Sequence, residues 1–257
     1  MERVITAIEG PVEIDIDGVR EAHLELVGGD VSVGATTAPS RLEACCLHGS
    51  PVTVEFDEGV LVVRQGPGRS TSDRASVALT VPPDTPLRVR TVSASVLVAG
   101  LAGATRVRTI SGEVTGSFLA GDVAASTLSG DIAIEGVTGR LEATTATGDI
   151  TLTAASLHEL RARTLSAEIA VDLDAKDGGA YECQTLSGRV AFRLTPQSGL
   201  TVEAATLSGR VVSDDGAAAP RLPRRRSWTV GDGSSRLGIR TLSGDIVVLR
   251  YAAAVPA

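Results

Sequence analysis

The side chains best placed for chemistry in this sequence are acidic and evenly spaced. Glu113, Asp131, Asp149 and Glu168 follow one another at intervals of 18, 18 and 19 residues, each directly after a Gly or Ala. Carboxylates on adjacent strands are the apparatus of glycoside hydrolysis, so Asp131 and Asp149 are the pair a polysaccharide-active enzyme would use. The same position holds Ser95 before the run and Arg189, Arg210 and Asp245 after it. Like charges stacked about 4.8 Å apart repel unless solvated, and a column that changes sign suits an exposed edge that discourages unwanted pairing. A charged edge is therefore expected, with a weak divalent-cation or cationic-polymer ladder as the other reading.

The remaining reactive residues form no constellation. His23, His48 and His158 lie outside any HxH, HExxH or GxSxG setting. Cys45 and Cys46 are adjacent and Cys183 is remote, which is neither an even disulfide framework nor a CxxC metal pattern. Reduced thiols are expected, with Cys45 and Cys46 as strand residues facing opposite ways; a vicinal disulfide is the alternative. The S-G-D turns fall short of the GGxGxDxUx calcium roll, and Gly231–Gly233 reads as a hairpin turn. Arg221–Arg226, RLPRRR, is the one basic cluster visible along the chain, read as a solvated loop or a contact for an acidic partner or nucleic acid. No catalytic, cofactor-binding or metal residue is assigned, and no enzyme and no cofactor are expected.

The elements that carry these residues come from a repeat. A six-residue theme starts at Thr91, Thr109, Thr127, Thr145, Thr164, Thr185, Thr206 and Thr241, mostly as T-[VIL]-S-G. The spacing is 18 to 21 residues until a last step of 35, which contains the excursion Asp214–Ser227. Gly103, Gly112, Gly121, Gly130, Gly139 and Gly148 recur every nine residues, so each unit holds two short strands. A composition of 28 Gly and six aromatics in 257 residues demands a core of small and β-branched side chains.

Four columns follow from aligning the units. Val96, Val114, Ile132, Ile150, Ile169, Val190, Val211 and Ile246 are all β-branched, as expected of side chains stacked between rungs. Val89, Val107, Ala125, Ala143, Ala162, Cys183, Ala204 and Ile239 share the inward parity, which makes Cys183 a small core residue. The motif threonines have the same parity, so their hydroxyls must find partners, either neighbouring threonines or carbonyls at the bend. Val92, Ile110, Leu128, Ala146, Leu165, Leu186, Leu207 and Leu242 are apolar but of opposite parity, and a bend at Thr-Leu-Ser-Gly is expected to turn them inward as well.

Residues 1–90 lack the motif but are equally rich in strand patterns, with a hairpin at Asp57–Gly59 and a surface loop at 67–74; they are expected to supply irregular rungs and a cap. The fold expected is all-β: one elongated domain over 1–257, a right-handed parallel β-solenoid (β-helix) of about eight rungs of 18–21 residues, with the cap over 1–90, regular rungs over 91–250 and the inserted loop 214–227.

TLSGDI recurring with half-units such as GDVAAS, GDIAIE and GRLEAT, after HLELVGGDVSV and VALTVPPDTPLRVRTVSASV, resembles the bacterial adhesin-like β-strand repeat family of unknown function across about residues 20–250. The resemblance implies a β-solenoid-like fold and the label of an adhesin domain, and it brings no catalytic residues. A formal charge of −7 argues against nucleic acid as partner. The opening segment lacks a basic region followed by an apolar run, and no 18-residue apolar run occurs, so a cytoplasmic location without membrane insertion is expected. The function expected is that of a non-enzymatic structural or interaction protein with a protein or polymer partner. A polysaccharide-active β-helix enzyme and an intracellular self-assembling scaffold are the alternatives.

Overall fold

Alternating Val, Ile, Thr and Ala between glycines favours extended chain over helix, and the computed structural model contains strands and turns but no helix among its described residues, 4–66, 72–214 and 224–251. The chain divides into two compact units, Met1–Gly130 and Asp131–Ala257. Each contains two sheets in which most neighbouring strands run parallel.

In the first unit one sheet aligns Val60–Gln65, Glu21–Leu26, Leu87–Thr91, Thr105–Arg108 and Asp122–Ser126, all parallel. The other aligns Arg74–Val81, Gly29–Ala35, Ser95–Ala99 and Val114–Ser117. The coil formed by residues 21–35 thus sits between two later coils, so it is a regular rung placed out of chain order. Antiparallel strands then close this end: Val52–Asp57 and Val4–Ile8 on one sheet, Ser40–His48 and Val12–Ile16 on the other. The expected hairpin is present, with Glu58 and Gly59 at φ 48° and 87°, the two left-handed positions a tight two-residue turn requires. Of the expected loop at 67–74, residues 67–71 lie outside the described residues, and Arg74 begins a strand.

In the second unit the strand Ile150–Arg163 passes through both sheets. Its first part pairs with Ile132–Glu135 and Ile169–Leu173, and its second with Thr138–Thr144 and Ala180–Thr185. The corner between them is made at Ala154, whose φ is 51°. Beyond this the order in space departs from the order in sequence. Ser235–Thr241 lies between Ala180–Thr185 and Leu200–Thr206, and Ile246–Arg250 lies between Val190–Leu194 and Val211–Ser213. The last motif is therefore inserted between the two that precede it.

Two expectations fail here. The excursion Asp214–Ser227 is not a loop throughout: Arg224–Val230 is a strand that covers the far edge of Leu200–Thr206 antiparallel, while 215–223 lie outside the described residues. Arg224, Arg225 and Arg226 are consequently strand residues, and the first arginine of the cluster, Arg221, lies outside the described residues. Gly231–Gly233 is not a hairpin turn, because the strands on either side of it pair with opposite edges of Leu200–Thr206 instead of with each other. An inserted strand takes the position a hairpin partner would have held.

The inward columns are as their parity requires. In the second unit Ile132, Ile150, Ile169, Val190, Ile246 and Val211 stack in register and are buried, as are Val96 and Val114 in the first. Burying such a side chain contributes about 1.5–3 kcal/mol. Cys183 is fully buried, and desolvation pushes its thiol far above the ordinary range, so it is core and chemically inert. The motif threonines are buried too. One partner is not among those expected: Thr109, Thr127, Thr145 and Thr206 accept the N–H of the glycine three residues on, at 3.0 to 3.1 Å. The bend carbonyls are partners as expected: Thr206 donates to Gly244 at 3.0 Å, Thr91 to Ala94 at 3.2 Å and Thr164 to Ala146 at 3.4 Å.

The residue after each threonine does not turn inward. Leu165 is 57% exposed, and Val92, Ile110, Leu128, Leu186, Leu207 and Leu242 are exposed as well. The reason lies in the backbone at the corner. The N–H groups of Leu186 and Ser187 both donate to the Leu165 carbonyl, those of Leu242 and Ser243 to Leu186, and those of Leu207 and Ser208 to Leu242. Val92, Ile110 and Leu128 repeat the arrangement in the first unit. This geometry places Thr and Gly inside and leaves Leu and Ser outside. There is no room for a leucine within, since even a Cβ on Gly188 would overlap the Ala167 carbonyl, one on Gly244 the Gly188 carbonyl, and one on Gly209 the Gly244 carbonyl.

Candidate functional site

Each acid of the charged column projects from a corner just beyond the motif's small residue. Asp131 and Asp149 are neighbours, as the spacing implies: the Asp149 N–H donates to Asp131 Oδ1 at 2.8 Å, and the Glu168 N–H donates to Asp149 Oδ1 at 2.8 Å. Asp245 does the same for the N–H of Arg210 at 2.8 Å and also receives its guanidinium at 2.9 Å. That guanidinium, foremost, holds the Asp245 carboxyl below its ordinary pKa. Carboxylates in this column thus tie one coil to the next, by charge-assisted bonds to backbone amides. Glu113, Asp131 and Asp149 are exposed, whereas Glu168 and Asp245 are half-buried.

The other residues with reactive side chains stay apart. His23 and His48 lie on different sheets of the first unit, and His158 is on the second unit's long strand. His23 Nε2 lies 2.6 Å from Glu21 Oε1. Cys45 and Cys46 are free and both exposed, not on opposite faces, because Cys46 adopts φ 55° where the strand register shifts. Hydrogen bonding with Cys45 raises the Cys46 thiol above its ordinary pKa. Among the described residues no group of three or more His, Cys, Asp or Glu is placed to hold a metal ion, and no helix is long and apolar enough to cross a membrane.

The most distinctive surface chemistry is basic, and it is not RLPRRR. On the outward face of the first unit, Arg88 stands directly beside Arg106 and Arg90 beside Arg108 on parallel neighbouring strands. The four alternate with buried Leu87, Val89, Thr105 and Val107, which fixes them all outward. With Val89 they line a hollow of about 260 Å³. Glu25, beside Arg90, is 3.8 Å from it but closer, at 3.2 Å, to Arg64. Arg88, Arg106 and Arg108 have no ion-pair partner among the described residues. The signal was in the sequence as RVRT at 88–91 and again at 106–109, 18 residues apart. Searching for unbroken basic runs passes over it, because parallel coils assemble a patch from residues one repeat apart.

The second unit's corresponding face is mixed in sign. Arg140 and Arg161 both reach Glu159, at 2.9 and 3.2 Å, and Arg163 approaches Glu182 at 3.7 Å. At its closing edge Glu203 shares a hollow of about 310 Å³ with Arg225, Arg226 and Arg240.

Comparison with known proteins fits this architecture. A crystal structure from Bacteroides fragilis named "putative adhesin" is similar to the chain with a TM-score of 0.54, 10% identity and 97% of each chain covered. One from Parabacteroides distasonis named "Putative lipid binding protein" has a TM-score of 0.40 and 12% identity, covering 96% of this chain and 98% of that one. One from Parabacteroides merdae, also named "putative adhesin", has a TM-score of 0.34 and 13% identity, covering 96% of both. No curated protein matches. The family model described as Toastrack DUF4097 matches residues 29–249, within the span of the adhesin-like resemblance, about 20–250. With its recurrent TLSG coils and all-β, mostly parallel sheets, the chain belongs to the Toastrack DUF4097 family.

Proposed function

We propose that the chain is a non-enzymatic interaction protein, adhesin-like, which presents a repetitive surface to a protein or polymer partner. One observation carries this reading. The groups that could have formed a catalytic pair, Asp131 and Asp149, each bind a backbone amide of the next coil, and what the repeat presents outward in a regular series is the exposed apolar residue after the motif threonine, as at Ile110, Leu128, Leu165 and Leu186. Repetition of one surface pattern suits a partner met at many points at once. The name of the Bacteroides fragilis neighbour agrees with such a role. We further propose right-handed winding in about eight coils of 18–21 residues, the hand that parallel crossovers favour, and a cytoplasmic site of action.

The test is turnover on a broad polysaccharide panel. No product is expected from the parent protein. Degradation abolished by Asp131→Asn or Asp149→Asn would replace the interaction role with an enzymatic one. Fractionation of source cells, with protease treatment of intact ones, tests the location: digestion from outside would discard the cytoplasmic placement and favour adhesion at the surface.

A further inference from the structure

We infer that Arg88, Arg90, Arg106 and Arg108 form a binding site for a compact oligoanion, one carrying adjacent phosphate or sulfate groups. Like charges directly opposed across neighbouring strands destabilise a sheet, and here they are opposed twice, Arg88 with Arg106 and Arg90 with Arg108. Nothing in the fold demands it, because all four side chains point outward and are exposed. A bound oxyanion removes the repulsion. Guanidinium groups suit it particularly, since each offers paired N–H donors to two oxygens of one phosphate or sulfate. The rows are about 4.8 Å apart across the strands and about 6.6 Å along them, a span that two linked tetrahedral oxyanions fill. The hollow of about 260 Å³ between the arginines provides the space.

The borders of the patch define the ligand's size. On one side Arg88 is followed by His23 and Arg90 by Glu25; on the other Arg106 is followed by Ala124 and Arg108 by Ser126. Glu21, on the same face as Glu25, adds a second acid to the first border. A long polyanion lying across the strands would meet carboxylates on one side and no cation on the other. A compact ligand, or a short anionic stretch of a polymer, meets four cations and stops. This site stands apart from the interaction role, which the polysaccharide panel tests by itself.

The experiment is calorimetric titration of the full chain with inorganic tripolyphosphate, a free oligoanion, and in parallel with dextran sulfate, a polymer-borne one. Binding of one or both is expected, weakening about tenfold for each arginine replaced in Arg88→Gln and Arg106→Gln and weakening with added salt. Arg161→Gln in the second unit leaves binding unchanged. Which probe binds tells whether the anion is free or carried on a polymer. If a glutamine variant fails to fold, Arg106→Lys keeps the charge, loses the paired donors, and is expected to bind several-fold more weakly. Absence of binding to both probes, binding indifferent to Arg88→Gln and Arg106→Gln, or tighter binding of duplex DNA than of either probe would overturn the site.

Discussion

The outward faces of the two units are built on the same alternation and carry opposite electrostatic solutions. In Asp131–Ala257, Glu159 sits between Arg140 and Arg161, and Glu182 attends Arg163. In Met1–Gly130, arginine faces arginine twice, with Glu25 divided between Arg64 and Arg90. The inward halves of the same strands are alike in kind, buried and almost wholly apolar: Leu87, Val89 and Val107 in the first unit, Leu141, Ala143, Leu160, Ala162 and Cys183 in the second. An outward position on a strand owes nothing to the core, so its charge is free to vary without altering the fold. On these strands the second unit gives Arg140, Arg161 and Arg163 acidic partners, whereas the first sets Arg88, Arg106 and Arg108 together without one among the described residues.

The largest effect should come from what the two faces share. Gly130→Val and Gly244→Val each place side-chain atoms on a neighbouring glycine's carbonyl, Gly112 in one unit and Gly188 in the other, and a loss of about 3 kcal/mol or more is expected in urea unfolding of both variants. A marked difference between them would mean that the scaffolds, not only the faces, differ. Next in size is Glu159→Arg, which removes two ion pairs of the mixed face and sets three arginines together. A cost of about 1–2 kcal/mol is expected by the same measurement, together with newly acquired tripolyphosphate binding in the second unit.

A pH series sharpens the contrast within the mixed unit. Arg210 lowers the folded-state pKa of Asp245, so the unfolded chain takes up a proton first as pH falls. The stability due to the pair is present above the ordinary carboxylate pKa, near pH 4, and declines as pH drops through the lower folded value. The melting temperatures of the parent and Asp245→Asn should therefore converge below about pH 4. The smallest effect is the converse of the second: Arg106→Glu supplies a partner to Arg88 and is expected to stabilise the ligand-free protein by about 0.5 kcal/mol. Destabilisation on that substitution would mean that the arginines are not in conflict.

The sequence made the inward columns legible because strand parity is strict wherever the chain is straight. Cys183, Ile150 and Val190 could be placed by counting in twos. Counting fails at corners. Leu186 lies outward, as its parity beside Thr185 requires although its apolar character points inward, and the alternation breaks one residue on, where Ser187 is exposed too and both N–H groups share the Leu165 carbonyl. The out-of-order coils were illegible for a different reason: every copy of the motif carries the same columns, so nothing in Thr241–Ile246 distinguishes one neighbour from another except charge. As for the sites, adjacency of Asp131 and Asp149 could be read from the 18-residue step, whereas their binding to backbone amides could not. The arginine square followed from the same step but needed comparison between repeats instead of along one.

The coil that arrives last in the chain governs the order in which the second unit can assemble. TLSGRV at 185–190 and at 206–211 are identical and are made before 241–246, so the growing chain can join them edge to edge prematurely. That mistaken junction would bring Arg189 against Arg210. In the finished structure Asp245 binds Arg210 and also attracts Arg189, and Ser235–Thr241 takes the intervening place. Two identical hexapeptides of like charge thus repel the wrong union, and the gap stays available until the acidic copy at 241–246 emerges to fill it.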